Sequence, residues 1–185
     1  MANIYILSGP AGVGKSTTAK VFAKTLKKSS LISGDIVSWF HKNGREKPWL
    51  SETETALIWA NITSIAKNFL LRDIDVIIDY VAFPKDVLTL LRELETYYHE
   101  LKYIVFMCDE KTLIQRDMQR EQSAQMGVRS IELLQELKEA AIPSAYIFDT
   151  TNFGVSDLSK IIHTLQNEAR FLCTNNSFPS QEGLI

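Results

Sequence analysis

Cysteine is scarce: Cys108 and Cys173 are the two in a chain of 185 residues. Their spacing suits neither a metal-ligand set nor a disulfide framework. Cys108 stands in an apolar run and reads as a small core residue. No apolar stretch reaches the roughly 18 residues that a membrane span needs, and no basic segment leads into an apolar one at the N-terminus. The expectation is a reducing, cytoplasmic setting with no membrane partner. Neither charge sign is in excess: 20 Lys and Arg stand against 22 Asp and Glu, a net charge of −2. That balance argues against nonspecific nucleic-acid binding as a main activity and leaves small solutes as the expected partners of a monomer or homodimer. Internal repeats are absent. With 45% hydrophobic and 23% charged residues the composition is that of an ordinary globular protein, and the length suits one domain.

Against this plain background one stretch carries chemistry. Gly9, Pro10, Ala11, Gly12, Val13, Gly14, Lys15, Ser16 and Thr17 fit the pattern G-x-x-x-x-G-K-S/T without a mismatch. Small residues let successive backbone N–H groups turn inward around a β-phosphate, Lys15 can bridge the β- and γ-phosphates, and the Ser16 hydroxyl can ligate Mg²⁺. Ile4 to Leu7 before the loop reads as a buried strand, and Thr17 to Leu26 after it as a helix whose positive end lies beneath the anion.

Further along, Ser30 to Ser33 is a second strand ending in Gly34 and Asp35. Asp35 either faces the phosphate loop from the carboxyl edge of the sheet or caps a helix starting at Ile36. Trp39, Phe40, His41 and Trp49 cluster with Lys42, Arg45 and Lys47, a mix suited to an acceptor pocket and equally to core; His41 receives no catalytic role. Ser51 and Glu54 form a capping box for a long amphipathic helix ending near Arg72, with Ala56, Leu57, Ala60, Ile65, Ala66, Phe69 and Leu70 as its apolar positions. Asp75 to Asp79 is the third strand. Asp79 at its end is placed to reach Mg²⁺ or substrate, a reading favoured over a turn aspartate because Tyr80 to Phe83 intervene before the next helix.

That helix spans Pro84 to Tyr98, and Tyr103 to Met107 is the fourth strand. Asp109 caps a helix on which Arg116 and Arg120 share one face. The pair is either a solvated salt-bridged surface or the root of a lid, about residues 116–130, that swings on Gly127. Ser130 is expected to cap a helix carrying Ile131, Leu133, Leu134 and Leu137. Ala145 to Phe148 is the fifth strand, after which Asp149, Thr150, Thr151 and Asn152 supply small polar groups near an adenine. The last helix runs from Ser156 to Phe171, and residues 173–185 read as a mobile tail. Five strands alternating with helices predict an α/β three-layer domain: a parallel sheet, right-handed crossovers and helices on both faces.

The phosphate loop, Gly34-Asp35, Asp79, Arg116 with Arg120, and Asp149-Thr150-Thr151 together resemble the P-loop small-molecule and nucleotide kinases, over Ile4 to Phe171. The resemblance implies a P-loop NTPase fold with strand order 2-3-1-4-5 and a single kinase domain over residues 1–172, with an acceptor-binding segment at about 36–72. It also implies Asp35 as the carboxylate that holds or deprotonates the acceptor hydroxyl, and Arg116 and Arg120 as lid arginines. The gluconate kinase branch is similar at Ser33-Gly34-Asp35 and Lys47-Pro48-Trp49-Leu50. The chloramphenicol phosphotransferase branch is similar at Val76 to Asp79, Arg116 to Arg120 and Asp149 to Thr151; shikimate kinase belongs to the same group.

The expected function is ATP-dependent transfer of the γ-phosphate to a hydroxyl of a small organic molecule. Lys15, Asp35, Arg116 and Arg120 are the expected catalytic residues. ATP is expected on the phosphate loop, Arg116 and Thr151, the acceptor on Asp35, Trp39, Trp49 and Asp79, and Mg²⁺ on Ser16 and Asp79. The alternatives are a nucleoside or nucleotide kinase and a regulatory P-loop NTPase. A monophosphate acceptor needs arginines, and only Arg45 lies between Asp35 and Leu71; a hydrolytic NTPase usually has Glu where Tyr80 stands, and no Asn-Lys-x-Asp guanine reader is present.

Overall fold

The computed structural model describes residues 1–178. Five strands, β1 (Ile4–Ser8), β2 (Ser29–Ser33), β3 (Asp75–Asp79), β4 (Leu101–Met107) and β5 (Ile147–Asp149), form one sheet in the order β2-β3-β1-β4-β5. Every pairing is parallel. β1 lies between β3 and β4, and all five of its residues are buried. That is why it reads as a continuous apolar run rather than an alternation. β2, at an edge, alternates instead.

Seven helices connect the strands: α1 (Lys15–Thr25), α2 (Gly34–Ser38), α3 (Glu52–Leu70), α4 (Pro84–Leu94), α5 (Glu110–Met118), α6 (Val128–Glu139) and α7 (Leu158–Asn167). α1 packs with α7, and α3 with α4, giving a layer on each face of the sheet. Phe22 of α1 is fully buried and meets Tyr5 edge-on at 4.7 Å. The α/β three-layer fold and its strand order thus stand as the sequence implies.

Several local expectations are corrected. In α3 the buried residues are Glu54, Ile58, Trp59, Ile62, Thr63, Ala66 and Leu70, while Ala56, Leu57 and Ala60 are exposed. The expected face holds in the second half of the helix, where Ala66 and Leu70 are buried and Ile65 and Phe69 pack against the core, and fails in the first half. Only half of the capping box forms: Ser51 Oγ accepts from Glu54 N, whereas the Glu54 carboxylate meets His41 Nδ1 at 2.9 Å. α4 stops at Leu94, short of Tyr98; at its start the Asp86 carboxylate accepts from Phe83 N. Gly127, at φ 54°, is the N-cap of α6, and Ser130 is buried inside the helix. A 3-10 turn at Ser144–Tyr146 precedes β5, so the strand starts later than expected. α7 is shorter than expected and is flanked by 3-10 turns at Val155–Asp157 and Ala169–Phe171.

The beginning of the expected tail is part of the domain. Cys173 and Phe178 are buried, Cys173 N donates to Leu101 O, and Phe178 packs on Tyr103 and Tyr146. Residues 179–185 lie outside the described residues. Buried Lys102 fixes the same edge by donating to the carbonyls of Leu165 and Gln166 at the end of α7, where a cation also suits the helix dipole.

Two close approaches set the geometry of the cleft. Gly9 sits at φ 134°, and a Cβ there would lie 2.3 Å from Phe106 O of β4. A Cβ on Gly34 would fall 2.1 Å from the Tyr80 ring. Tyr80 is thereby free to pack closely on Gly34 of α2 and to meet Trp59 of α3 at 5.8 Å. Overpacking of this kind costs about 1–3 kcal/mol. Gly34→Ala is expected to lower unfolding free energy by that amount in urea titrations and to raise the exposure of Tyr80 to solvent.

Candidate active site

The carboxyl ends of the strands open into a cleft of about 1740 Å³. Ala11, Gly12, Val13, Gly14, Lys15, Ser16 and Thr17 line one part of it, together with Asp35, Trp39, Trp49, Asp79, Arg116 and Arg120. The sequence-predicted residues therefore converge, with three exceptions. Gly9 and Pro10 do not line the cleft, but their carbonyls accept from Lys15 Nζ at 2.7 and 2.8 Å. Thr151 is turned away: its hydroxyl donates to Asp149 Oδ1 and accepts from Asp109 N, while Thr150, Phe153 and Gly154 face the cleft in its place.

The loop is shaped for an anion. Gly12 and Gly14 take φ of 83° and 108°, which L side chains rarely adopt. α1 starts on an N-cap with no side-chain hydrogen bond and has no acidic residue in its first turn. Its first amides are thus left to an outside acceptor. Lys15 is buried, and burial lowers its pKa against the opposing pull of Asp79 and Asp35. Burial likewise raises Asp79, against Lys15 and the Ser16 hydroxyl. The segment after Asp79 is anchored at Ala82: Ser8 Oγ donates to Ala82 O and accepts from Ala82 N, and Tyr103 OH also donates to Ala82 O. Asp35 lies in the first turn of α2 behind an N-cap at Ser33, which removes the reading of Asp35 as the cap. Its carboxylate is exposed and, among the described residues, makes no side-chain hydrogen bond.

The two arginines do not share a helix face, because α5 ends at Met118 and Arg120 follows in the turn. Arg116 is bound to Thr150 Oγ1 at 3.0 Å and to the carbonyls of Thr150 and Phe153, both at 2.7 Å. It fixes the loop after β5 against the phosphate loop, whose Val13 carbonyl is 3.4 Å away. Arg120 pairs with Asp117 at 3.0 Å. Asp117, between the two arginines in sequence, is a buried hub. It accepts from Gly127 N at 2.8 Å and Met126 N at 3.0 Å, and it backs onto Gly12.

The other half of the cleft was only partly anticipated. Arg45 bonds Ser38 O and Oγ and lies 4.3 Å over the Trp39 ring. Trp49 is flanked by Lys47 at 5.6 Å and by Arg129 of α6 at 5.7 Å. Ala56 and Ala60 of α3 are exposed at this half, which also touches Val81, Phe83 and the buried residues Trp59, Thr63 and Tyr80. The alanines at i and i+4 were a visible signal, but an apolar face toward a cleft and one toward a core share the same period.

Fold and site together define an α/β domain built around a phosphate-binding loop. The chain belongs to an AAA domain family whose profile matches residues 4–143. No curated protein is similar enough in sequence to count as a relative. Among solved structures, a sugar kinase from Janibacter sp. HTCC2649 superposes with a TM-score of 0.69 at 13% identity, covering 92% of this chain and 97% of that one. The tunicamycin resistance protein of Deinococcus radiodurans gives 0.62 at 16% identity, over 94% and 99%. A gluconokinase from Sinorhizobium meliloti 1021 gives 0.57 at 15% identity, over 90% and 98%. At these identities the likeness is one of fold. No helix among the described residues is long and apolar enough to cross a membrane.

Asp117 generates a prediction. Desolvation works against its ionisation, yet the Gly127 and Met126 amides and Arg120 hold its carboxyl below the usual range. Its stabilising contribution is therefore complete above the unfolded value of about 3.9 and is lost as pH falls through the lower folded value. Hydrogen bonds to a charged group contribute about 1.5–3 kcal/mol. Asp117→Ala is expected to lose that much in urea at pH 7, to lose progressively less as the pH is taken below 4, and to speed amide exchange at Met126 and Gly127.

Proposed function

We propose that this protein is an ATP-dependent phosphotransferase that moves the γ-phosphate onto a hydroxyl of a small organic molecule. The observation that carries the reading is the convergence of Lys15, Asp79 and Asp35 on one cleft. At about 1740 Å³ that cleft exceeds the roughly 300–1,000 Å³ of a typical single-ligand pocket. The similar folds include proteins described as sugar kinase and gluconokinase, which favours the same class of reaction.

The phosphate loop would hold the triphosphate on the free amides of α1, with the Lys15 ammonium exchanging its own loop carbonyls for phosphate oxygens. Ser16 and Asp79 are suited to hold Mg²⁺, which supplies charge neutralisation on the phosphates. Thr150 and Phe153, fixed by Arg116, border the space left for the base. Asp35 orients the acceptor hydroxyl and takes its proton. Arg120, at the cleft, stabilises the transferring group once it leaves Asp117.

The test is acceptor-dependent ADP release across sugar acids, aminocyclitols, nucleosides and aromatic alcohols. With a responsive acceptor, Asp35→Asn is expected to lower kcat by roughly 10²–10⁴ while ATP affinity is kept. Lys15→Ala is expected to lower kcat by at least about 10². Full transfer by Asp35→Asn would remove the carboxylate from its assigned role.

A further inference from the structure

From the way α2 is fastened, we infer that Arg45 is a positioning residue for Asp35: it clamps the end of α2 and so sets where the Asp35 carboxylate stands. The inference rests on the phosphotransferase reading and adds to it a residue that acts through Asp35.

Asp35 has little of its own to hold it. Its carboxylate is exposed and, among the described residues, makes no side-chain hydrogen bond, so its place is set by the backbone beneath it. That backbone is α2, a helix of five residues. Isolated helices shorter than roughly 12–15 residues are marginal in water, and one this short keeps its form through contacts from outside. The register of β2 with β3 sets Ser33 beside Asp79, and Asp35 leaves the same edge of the sheet two residues later. A small tilt of α2 at that point moves the carboxylate across the cleft.

α2 is held at both ends. At its start Gly34 packs on Tyr80, where a Cβ would fall 2.1 Å from the ring. At its end Arg45 reaches back seven residues. Its Nε donates to Ser38 O and to Ser38 Oγ, both at 3.0 Å, and its Nη2 donates to Ser38 Oγ at 2.7 Å. Ser38 is the last residue of the helix and is buried. A guanidinium on a closing carbonyl also suits the negative end of the helix dipole. The Trp39 ring supports the fork from one side, its centroid 4.3 Å from the guanidinium carbon. The chain beyond is tied down separately, by His41 on Glu54.

Arg45 also lines the cleft, so direct contact with the acceptor is the competing role. Two of its three nitrogens and one of its faces are already engaged, which favours the clamp.

Two measurements separate these roles, and the first needs no ligand. The amides of Trp39 and Phe40 donate to Ile36 O and Val37 O and close the last turn of α2. Their hydrogen exchange, followed by NMR, is expected to quicken at least about tenfold in Arg45→Ala. Unchanged exchange there takes Arg45 off α2 and overturns the inference. The second measurement is ADP release from ATP with Mg²⁺, with water and with sugar acids, aminocyclitols, nucleosides and aromatic alcohols as acceptors. Arg45→Ala is expected to lower kcat by about 10- to 100-fold with KM for ATP unchanged, the loss a misplaced group causes. In the Asp35→Asn background the same substitution is expected to cost less than about twofold further, because a clamp acts through the group it places. Direct contact with the acceptor gives the opposite pattern, in which KM for the alcohol rises and the two substitutions multiply. That pattern overturns the inference, as does a wild-type kcat in Arg45→Ala. Ser38→Ala removes the hydroxyl that receives two of the three clamp bonds and guards against a variant that does not fold, each fold being checked by thermal melting. It is expected to lower kcat about two- to fivefold, and full activity in it also counts against the clamp. Should the wild-type protein release no ADP with any of these acceptors, the phosphotransferase reading fails instead, and amide exchange still decides whether Arg45 holds α2.

Discussion

A buried ammonium governs this molecule. Lys15 is sequestered at the head of α1 and donates to the carbonyls of Gly9 and Pro10, while burial lowers its pKa against the opposing pull of Asp79 and Asp35. Burying a charge is costly, and these carbonyls and carboxylates offset part of that cost. Everything nearby is arranged to keep Lys15 and Asp79 opposite each other. Gly9 lets the loop press against β4, Ser8 and Tyr103 anchor Ala82 just beyond Asp79, and the parallel register of β1 with β3 sets Leu7 beside Asp79. A central strand buried on both faces makes that register rigid.

From this fixed centre the cleft extends in two directions with different construction. Toward α5 and α7 it is built from hydrogen bonds: Arg116 fastens the loop after β5, and Asp117 gathers the amides of Met126 and Gly127. Toward α2 and α3 it is built from rings and van der Waals contact, with Tyr80 resting on Gly34 and against Trp59. A polar half defined by direction and an apolar half defined by shape suit two ligands of different character.

The sequence disclosed the architecture and the phosphate loop, because both rest on local signals: apolar runs, a glycine spacing, a lysine in register. It disclosed Asp35 and Asp79 because the carboxyl ends of parallel strands share one side of a sheet. It did not disclose the orientation of α3. Ala56, Leu57 and Ala60 repeat at helical spacing as well as Ile58, Trp59 and Ile62 do, and only the neighbouring elements decide which stripe is enclosed. Asp117 was hidden for a similar reason, since its partners are backbone amides, which leave no trace in residue identity. Arg116 and Arg120 both line the cleft, but their spacing on a helix is not kept, because α5 ends between them. Ser130 looked like a cap until Gly127 took that place with a positive φ.

The stacking of Arg129 on Trp49 spans the mouth, joining α6 to the segment after α2. The same guanidinium is also held by Glu132 and Glu136 of its own helix. A cation over an indole contributes about 0.5–2 kcal/mol. Arg129 thus tethers the segment after α2 to α6 without relying on that ring for its own placement.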